Sequence, residues 1–219
     1  MEMYLMILQT LVFVAAWGAV GRYVETRGPI ASVRSITLLN SRFYSLASAA
    51  LLALILLAPA YQDTARLLFH ASKFYEYIDV LGVRAAGGEI DLHFGFHHLT
   101  TPYLTYFRVL HHHEGWRIVA GLNTFHHVLM YAYFGGAAAL RSALPVTGTL
   151  QLVAGIAGEA WMLTRKTMHD EVPLWPNAFT LGLLSTYLVL WIRDLRMRSF
   201  FSSDPLAPKS HPEAAVKQS

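Results

Sequence analysis

The sequence predicts an all-α, polytopic membrane bundle, on three observations. Hydrophobic residues make up 54% of the 219 residues and charged residues 14%, whereas soluble domains carry about 25% charge. Mean hydropathy is +0.38. Seven apolar stretches follow one another along the chain, each near the ~20 residues that cross a bilayer core. They lack the period-two alternation of a membrane barrel, and backbone groups in lipid must be satisfied internally, so each stretch predicts a helix.

Taken in order, the spans fall at about 4–24, 36–61, 65–84, 88–110, 117–140, 144–164 and 174–194. The first contains the small residues Ala15, Ala16, Gly18 and Ala19. It lacks a basic leading region and outruns a signal core, so it reads as a transmembrane helix. Spans three and four carry most of the polar residues. Beyond Arg198 the chain is rich in Ser, Pro, Lys and Ala without apolar periodicity, which predicts a disordered tail over 199–219 after a single membrane domain over 1–198.

Basic residues set the orientation. With the amino terminus outside the cytosol, eleven of the 17 Lys and Arg, including Arg22, Arg27, Arg34, Arg42, Arg84, Arg141 and Arg193, fall on the cytosolic side. The positive-inside rule therefore puts the amino terminus out and the carboxyl terminus in. The pI near 9.2 follows from this asymmetry, and no basic stripe with interleaved exposed aromatics points to nucleic acid. Cysteine is absent. Neither a disulfide nor a thiolate nucleophile is available, so covalent chemistry must use another group.

Polar side chains are expensive inside a membrane and mark function there. Lys73, Glu76 and Asp79, at i, i+3 and i+6, are expected along one face of the third span, with an intramembrane ion pair as the purely structural alternative. His93, His97 and His98 crowd the fourth span, Asn123 and His127 stand at i, i+4 on the fifth, and Gln151 is on the sixth. His127, Met130, Tyr131 and Phe134 share a helix face. Counted from the cytosolic ends, Glu76, His97, His127 and Gln151 lie about 10 to 20 Å deep, which predicts one chamber open to the cytosol. His111, His112 and His113 with Glu114 read as a lumenal turn rather than a metal site, because adjacent residues do not share a face. His126 is expected to point away from the chamber, and His70, His169 and His211 have no companions.

These residues resemble the ELO family of fatty acid elongases. The family pattern KxxExxDT is similar to Lys73-Phe-Tyr-Glu76-Tyr-Ile-Asp79-Val80, with Val80 for Thr, and HxxMYxYY to His127-Val-Leu-Met130-Tyr131-Ala-Tyr133-Phe134, with Phe134 for Tyr. HxxHH is met by His97 and His98, with Phe94 at its first position, which His93 fills only with a one-residue insertion. Of TxxQxxQF only Gln151 matches, against Gly148, Ala154 and Gly155. Arg27-Gly28-Pro29 and Asn40 resemble the residues after the family's first helix, and the likeness runs over roughly residues 14–195.

The resemblance implies seven transmembrane helices, helices 2 to 7 enclosing an acyl-chain tunnel, in the endoplasmic reticulum membrane. It also implies condensation of acyl-CoA with malonyl-CoA to 3-ketoacyl-CoA, with membrane lipid around the enzyme, no tightly bound cofactor and no metal. Other elongation-cycle enzymes and a second copy of the chain are the expected partners. Without cysteine, His97 or His127 is the candidate acyl acceptor or general base, helped by His98, His93, Glu76 and Asp79. Lys73, Asn123, Met130, Tyr131 and Gln151 are the candidate substrate-binding residues. Glu159 and Trp161 are placed near the tunnel's lumenal end. Two other readings stand beside this one: a di-iron desaturase or hydroxylase, suggested by His93, His97 and His98, and a non-catalytic seven-helix lipid-binding protein.

Overall fold

Apolar periodicity without strand signals gives helices throughout the computed structural model, which describes residues 3–111, 115–166 and 173–197. The helices are α1 (Met3–Arg27), α2 (Val33–Leu57), α3 (Gln62–Tyr75), α4 (Tyr77–Ala85), α5 (Leu92–Thr105), α6 (Trp116–Phe134), α7 (Ala143–Lys166) and α8 (Trp175–Met197). Because α3 and α4 are separated only by Glu76, the described residues form seven rods. Helices α1 and α2, and α8 over Trp175–Arg196, are long and apolar enough to cross a membrane.

Several boundaries differ from the sequence expectation for identifiable reasons. The third span is interrupted at Glu76, where the Asp79 amide bonds the Glu76 carbonyl at 3.1 Å and tightens the turn. The fourth starts late, because the Asp91 carboxylate accepts the Phe94 amide at 2.7 Å and caps α5. It then widens into a π turn over Tyr106–His111. The fifth stops at Phe134 rather than 140, since Gly136 takes φ +112, a conformation that ends a helix and suits only glycine well. The tail and His112, His113, Glu114, His169 and His211 lie outside the described residues.

The packing order is a ring. Helix α2 packs on α6, α6 on α7, α7 on α8, α8 on α5, α5 on α3, and α3 back on α2, while α1 lies outside against α4 and α5. Gln9 accepts the Tyr77 hydroxyl at 2.7 Å, and Phe13 stacks on Tyr77 with centroids 3.8 Å apart, which fastens α1 to α4. Outward faces are apolar: Leu39, Leu46 and Leu57 of α2 are 70%, 73% and 80% exposed. Buried positions include Lys73, Glu76, Arg108 and Glu159. Such an inside-out distribution suits hydrocarbon surroundings, where outward leucines cost nothing and inward charges can pair.

At the end of the ring away from the carboxyl end of α8, Arg108 Nε donates to Glu159 Oε1 at 2.7 Å and Asn177 Nδ2 to Glu159 Oε2 at 2.6 Å. This cluster ties the π turn, α7 and α8 together. Glu159 is thus paired and buried. Trp161 points outward against Arg165 instead of bordering an interior tunnel. Removing one partner of a buried pair leaves a bare charge, so Arg108→Ala should lower stability by about 3 kcal/mol. Thermal unfolding of the detergent-solubilised protein would register this, and an unchanged midpoint would show the pair to be dispensable.

Candidate active site

Glu76 sits where the third rod breaks, and the break turns its carboxylate into the ring. Lys73 Nζ donates to Oε1 at 2.7 Å and the Tyr44 hydroxyl to the same oxygen at 3.0 Å. His127 Nδ1 lies 3.3 Å from Oε1, and His98 Nδ1 lies 4.0 Å from Oε2. Glu76 is fully buried. One carboxylate therefore gathers groups from α2, α3, α5 and α6, as a buried charge must if it is to remain ionised.

A second line of contacts runs across the ring. Lys73 Nζ also donates to Asn123 Oδ1 at 2.8 Å, and Asn123 Nδ2 donates to Gln151 Oε1 at 3.0 Å. His127 Nε2 faces Asn123 Nδ2 at 3.5 Å. With Glu76 beside Nδ1, the imidazole is set to carry its proton there and present an unprotonated Nε2. His97 stands on the α5 side, its ring 4.8 Å from Tyr187 and 5.3 Å from His98. His97 Nδ1, His98 Nδ1 and Glu76 Oε2 are buried without a hydrogen-bond partner among the described residues. Such groups are unusual unless a ligand or a reaction uses them. A cavity of about 40 Å³ joins His97, Asn123, Gln151 and Tyr187, and another of about 440 Å³ lies between α2, α3 and α6, with Lys73 bordering both.

Glu76, His97, His98, His127, Lys73, Asn123 and Gln151 thus come together as the sequence suggests. Asp79 takes a different place, accepting the hydroxyl of Tyr131 rather than lining up beside Glu76. The helix break after Tyr75 removes the continuous face that would have aligned the two acids. His93 also departs from the cluster: its Nδ1 lies 3.4 Å from Asp194 Oδ2 of α8, with the His97 ring 5.9 Å away. Met130 is half-buried and borders neither cavity. His126 bonds Thr147 at 2.8 Å and so points to α7, as expected, and His70 Nδ1 bonds Thr105 at 2.7 Å while its Nε2 is buried without a partner among the described residues.

Sequence reasoning missed Tyr44, Tyr187 and Asp194. The first two look like ordinary core aromatics in an apolar span, and Asp194 stands in the last turns of α8, where a solvated acid is commonplace. Among the described residues, no group of three or more His, Asp or Glu is arranged to hold a metal ion.

Neutralising Glu76 separates the roles of its neighbours. Glu76→Ala should cost about 3 kcal/mol, because the Lys73 ammonium would be left without its carboxylate in a dry interior. A double Lys73→Met, Glu76→Ala variant should recover part of that loss in thermal unfolding. Additive losses would mean that the two residues do not depend on each other.

No curated protein and no solved structure matches this chain. The profile described as ELO, the GNS1/SUR4 family, matches residues 1–198. With that profile covering nearly the whole chain and its motif residues gathered around Glu76, the chain belongs to the GNS1/SUR4 family of very-long-chain fatty acid elongases, multi-pass membrane enzymes of fatty acid elongation.

Proposed function

We propose that the protein condenses an acyl-CoA with malonyl-CoA, giving 3-ketoacyl-CoA, carbon dioxide and CoA. The observation that carries this reading is the pairing of His127 Nδ1 with Glu76 at 3.3 Å, opposite a second imidazole, His97, whose Nδ1 has no partner among the described residues. A chain without cysteine needs another nucleophile or base, and a neutral imidazole whose tautomer is held by a carboxylate is suited to either task.

In the nucleophilic form, His127 Nε2 or His97 attacks the thioester carbonyl. A C–N bond forms, the C–S bond breaks, and CoA leaves with the imidazole proton. Loss of carbon dioxide from malonyl-CoA leaves the C–C electron pair as an enolate, which attacks the acyl carbon and breaks the C–N bond, and the released imidazole nitrogen takes a proton from solvent to replace the one that left with CoA. If no adduct forms, the same imidazole acts as the general base. Glu76 stabilises positive charge arising on His127, while His98 fixes the direction of its neighbour His97. Asn123 and Gln151 supply donors for the developing oxyanions, while the Tyr131 phenol gives its one O–H to Asp79 and holds that acid in place. Lys73 holds Glu76 and Asn123 in register.

The charge asymmetry of the loops supports an amino terminus in the lumen and a carboxyl terminus in the cytosol, with the chamber nearer the cytosolic face. Family membership supports endoplasmic reticulum residence, work beside other elongation-cycle enzymes and association with a second copy of the chain. No tightly bound cofactor is required by this chemistry.

Purified protein offered radiolabelled malonyl-CoA and a series of acyl-CoAs should form labelled 3-ketoacyl-CoA and release carbon dioxide. His97→Ala and His127→Ala should each reduce that rate by roughly a hundredfold or more. Rates like wild type from both variants would remove the histidines from the reaction. Tightly bound iron in active protein would instead favour oxygen chemistry.

A further inference from the structure

Three phenols stand together beside Glu76, and none of them takes part in the bond-making steps above. Tyr44 of α2 is buried, with its hydroxyl 3.0 Å from Glu76 Oε1 and 3.2 Å from the Ser72 carbonyl. That carbonyl also accepts the Glu76 amide at 3.0 Å. The hydroxyl thus sits in the turn where the third rod breaks, between its backbone and its acid.

The Tyr44 ring stacks on Tyr75 with centroids 4.9 Å apart and meets Tyr131 at 90° with centroids 4.4 Å apart. Stacked and edge-on contacts are the arrangements that aromatic rings prefer. Each neighbour is tied in its turn. The Tyr75 hydroxyl donates to Asn40, one turn before Tyr44 on α2, and the Tyr131 hydroxyl donates to Asp79 on α4. Ser45, next to Tyr44, donates to the Val128 carbonyl at 2.9 Å and sets α2 in register with α6 beside His127. The His127 ring lies 6.3 Å from Tyr44 and 5.5 Å from Tyr131, so the same cluster borders the imidazole and its carboxylate.

Asp79 gains a task from this arrangement. The close contacts of His98 and His127 both go to Glu76, while Asp79 accepts the Tyr131 hydroxyl. As a bare charge Asp79 would only repel Glu76. What it holds is Tyr131, which abuts Tyr44, which donates to Glu76.

We propose that Tyr44 is a positioning residue for Glu76, and that Asp79 acts on the same carboxylate at one remove, through the rings of Tyr131 and Tyr44. The hydroxyl holds Oε1 towards Lys73 and His127 and leaves Oε2 turned to His98. Without it the carboxylate keeps fewer donors to fix its rotation, and His127 loses the steady partner that keeps its proton on Nδ1. The catalytic consequence rests on the condensation reading above, whereas the geometric one does not.

The test uses the full chain in lipid nanodiscs. Tyr44→Phe keeps the ring and removes only the hydroxyl, so it should lower kcat for 3-ketoacyl-CoA formation about tenfold with KM within about twofold. Asp79→Ala should show the same split. Asp79→Asn, which retains an oxygen for the Tyr131 hydroxyl, should recover part of that loss. Because both residues act along one path, Tyr44→Phe combined with Asp79→Ala should be about as slow as the slower single variant. Independent roles would multiply to about a hundredfold and overturn the linkage. Nitrogen NMR of protein carrying isotope-labelled histidine gives a readout that needs no turnover. The His127 signal, identified by its loss in His127→Ala, should report a proton on Nδ1 in wild type and exchange between both ring nitrogens in Tyr44→Phe and Asp79→Ala. An unchanged kcat together with an unchanged His127 signal in Tyr44→Phe would overturn the positioning role. A responsive His127 signal in a protein whose wild type makes no 3-ketoacyl-CoA would instead sink the condensation reading and leave the positioning role standing.

Discussion

A single buried carboxylate organises this bundle. Glu76 lies inside a hydrocarbon-facing ring with no exposure, and an anion there persists only with opposite charge and hydrogen-bond donors at hand. Lys73 is three residues earlier on the same rod, so the ion pair is local in sequence. The remaining contacts come from afar: Tyr44 on α2, His98 on α5 and His127 on α6. Satisfying one residue therefore requires four rods to meet at one depth. The break between α3 and α4 belongs to the same requirement, since it places Glu76 at a turn from which its side chain reaches all of them.

The two buried acids of the ring make an instructive contrast. At Glu159 both carboxylate oxygens accept short bonds, one from Arg108 and one from Asn177. That acid has little capacity left for anything else, and it works as a clamp on the π turn, α7 and α8. At Glu76, Oε1 is crowded by Lys73, Tyr44 and His127, yet Oε2 has no hydrogen bond and faces His98 at 4.0 Å. Two imidazoles nearby are incompletely satisfied as well. A fold optimised for rigidity would close such gaps, because each unpaired buried group costs about 1–3 kcal/mol. The contrast lies in the acids themselves, since Asn177 Oδ1 and Thr180 Oγ1 near Glu159 also lack partners among the described residues, whereas of the two carboxylates only Glu76 keeps an oxygen without a hydrogen bond.

Much of this was legible in the sequence because the helical period writes it there. Lys73 and Glu76 at i, i+3, and Asn123 and His127 at i, i+4, read directly as neighbours on a rod, and the count of apolar stretches matches the seven rods. What stayed hidden depends on tertiary contacts or on local backbone choices without a breaker residue. No Pro or Gly marks the interruption at Glu76, so Asp79 appeared to continue a face that the chain abandons. His93 looked like a member of the histidine group because its partner, Asp194, is a hundred residues away on α8. Tyr44 and Tyr187 carry no signal beyond aromaticity until α2 and α8 bring their hydroxyls inward. The cap at Asp91, in contrast, was readable in principle from an Asp immediately ahead of the apolar run.

Lys73 also decides how the two cavities relate. Its ammonium donates to Glu76 and to Asn123 and lies 4.8 Å from the centre of the Phe69 ring. An ammonium has three N–H donors, and two carry hydrogen bonds while the aromatic face occupies a further side. Held this way, Lys73 together with Phe69 forms the wall between the two cavities. Communication must then pass through the neighbour that touches both sides. His127 borders the larger cavity, while its Nε2 faces Asn123, which borders the smaller one. The two cavities consequently face each other across this imidazole and its amide neighbour, with Glu76 behind the ring to hold its orientation.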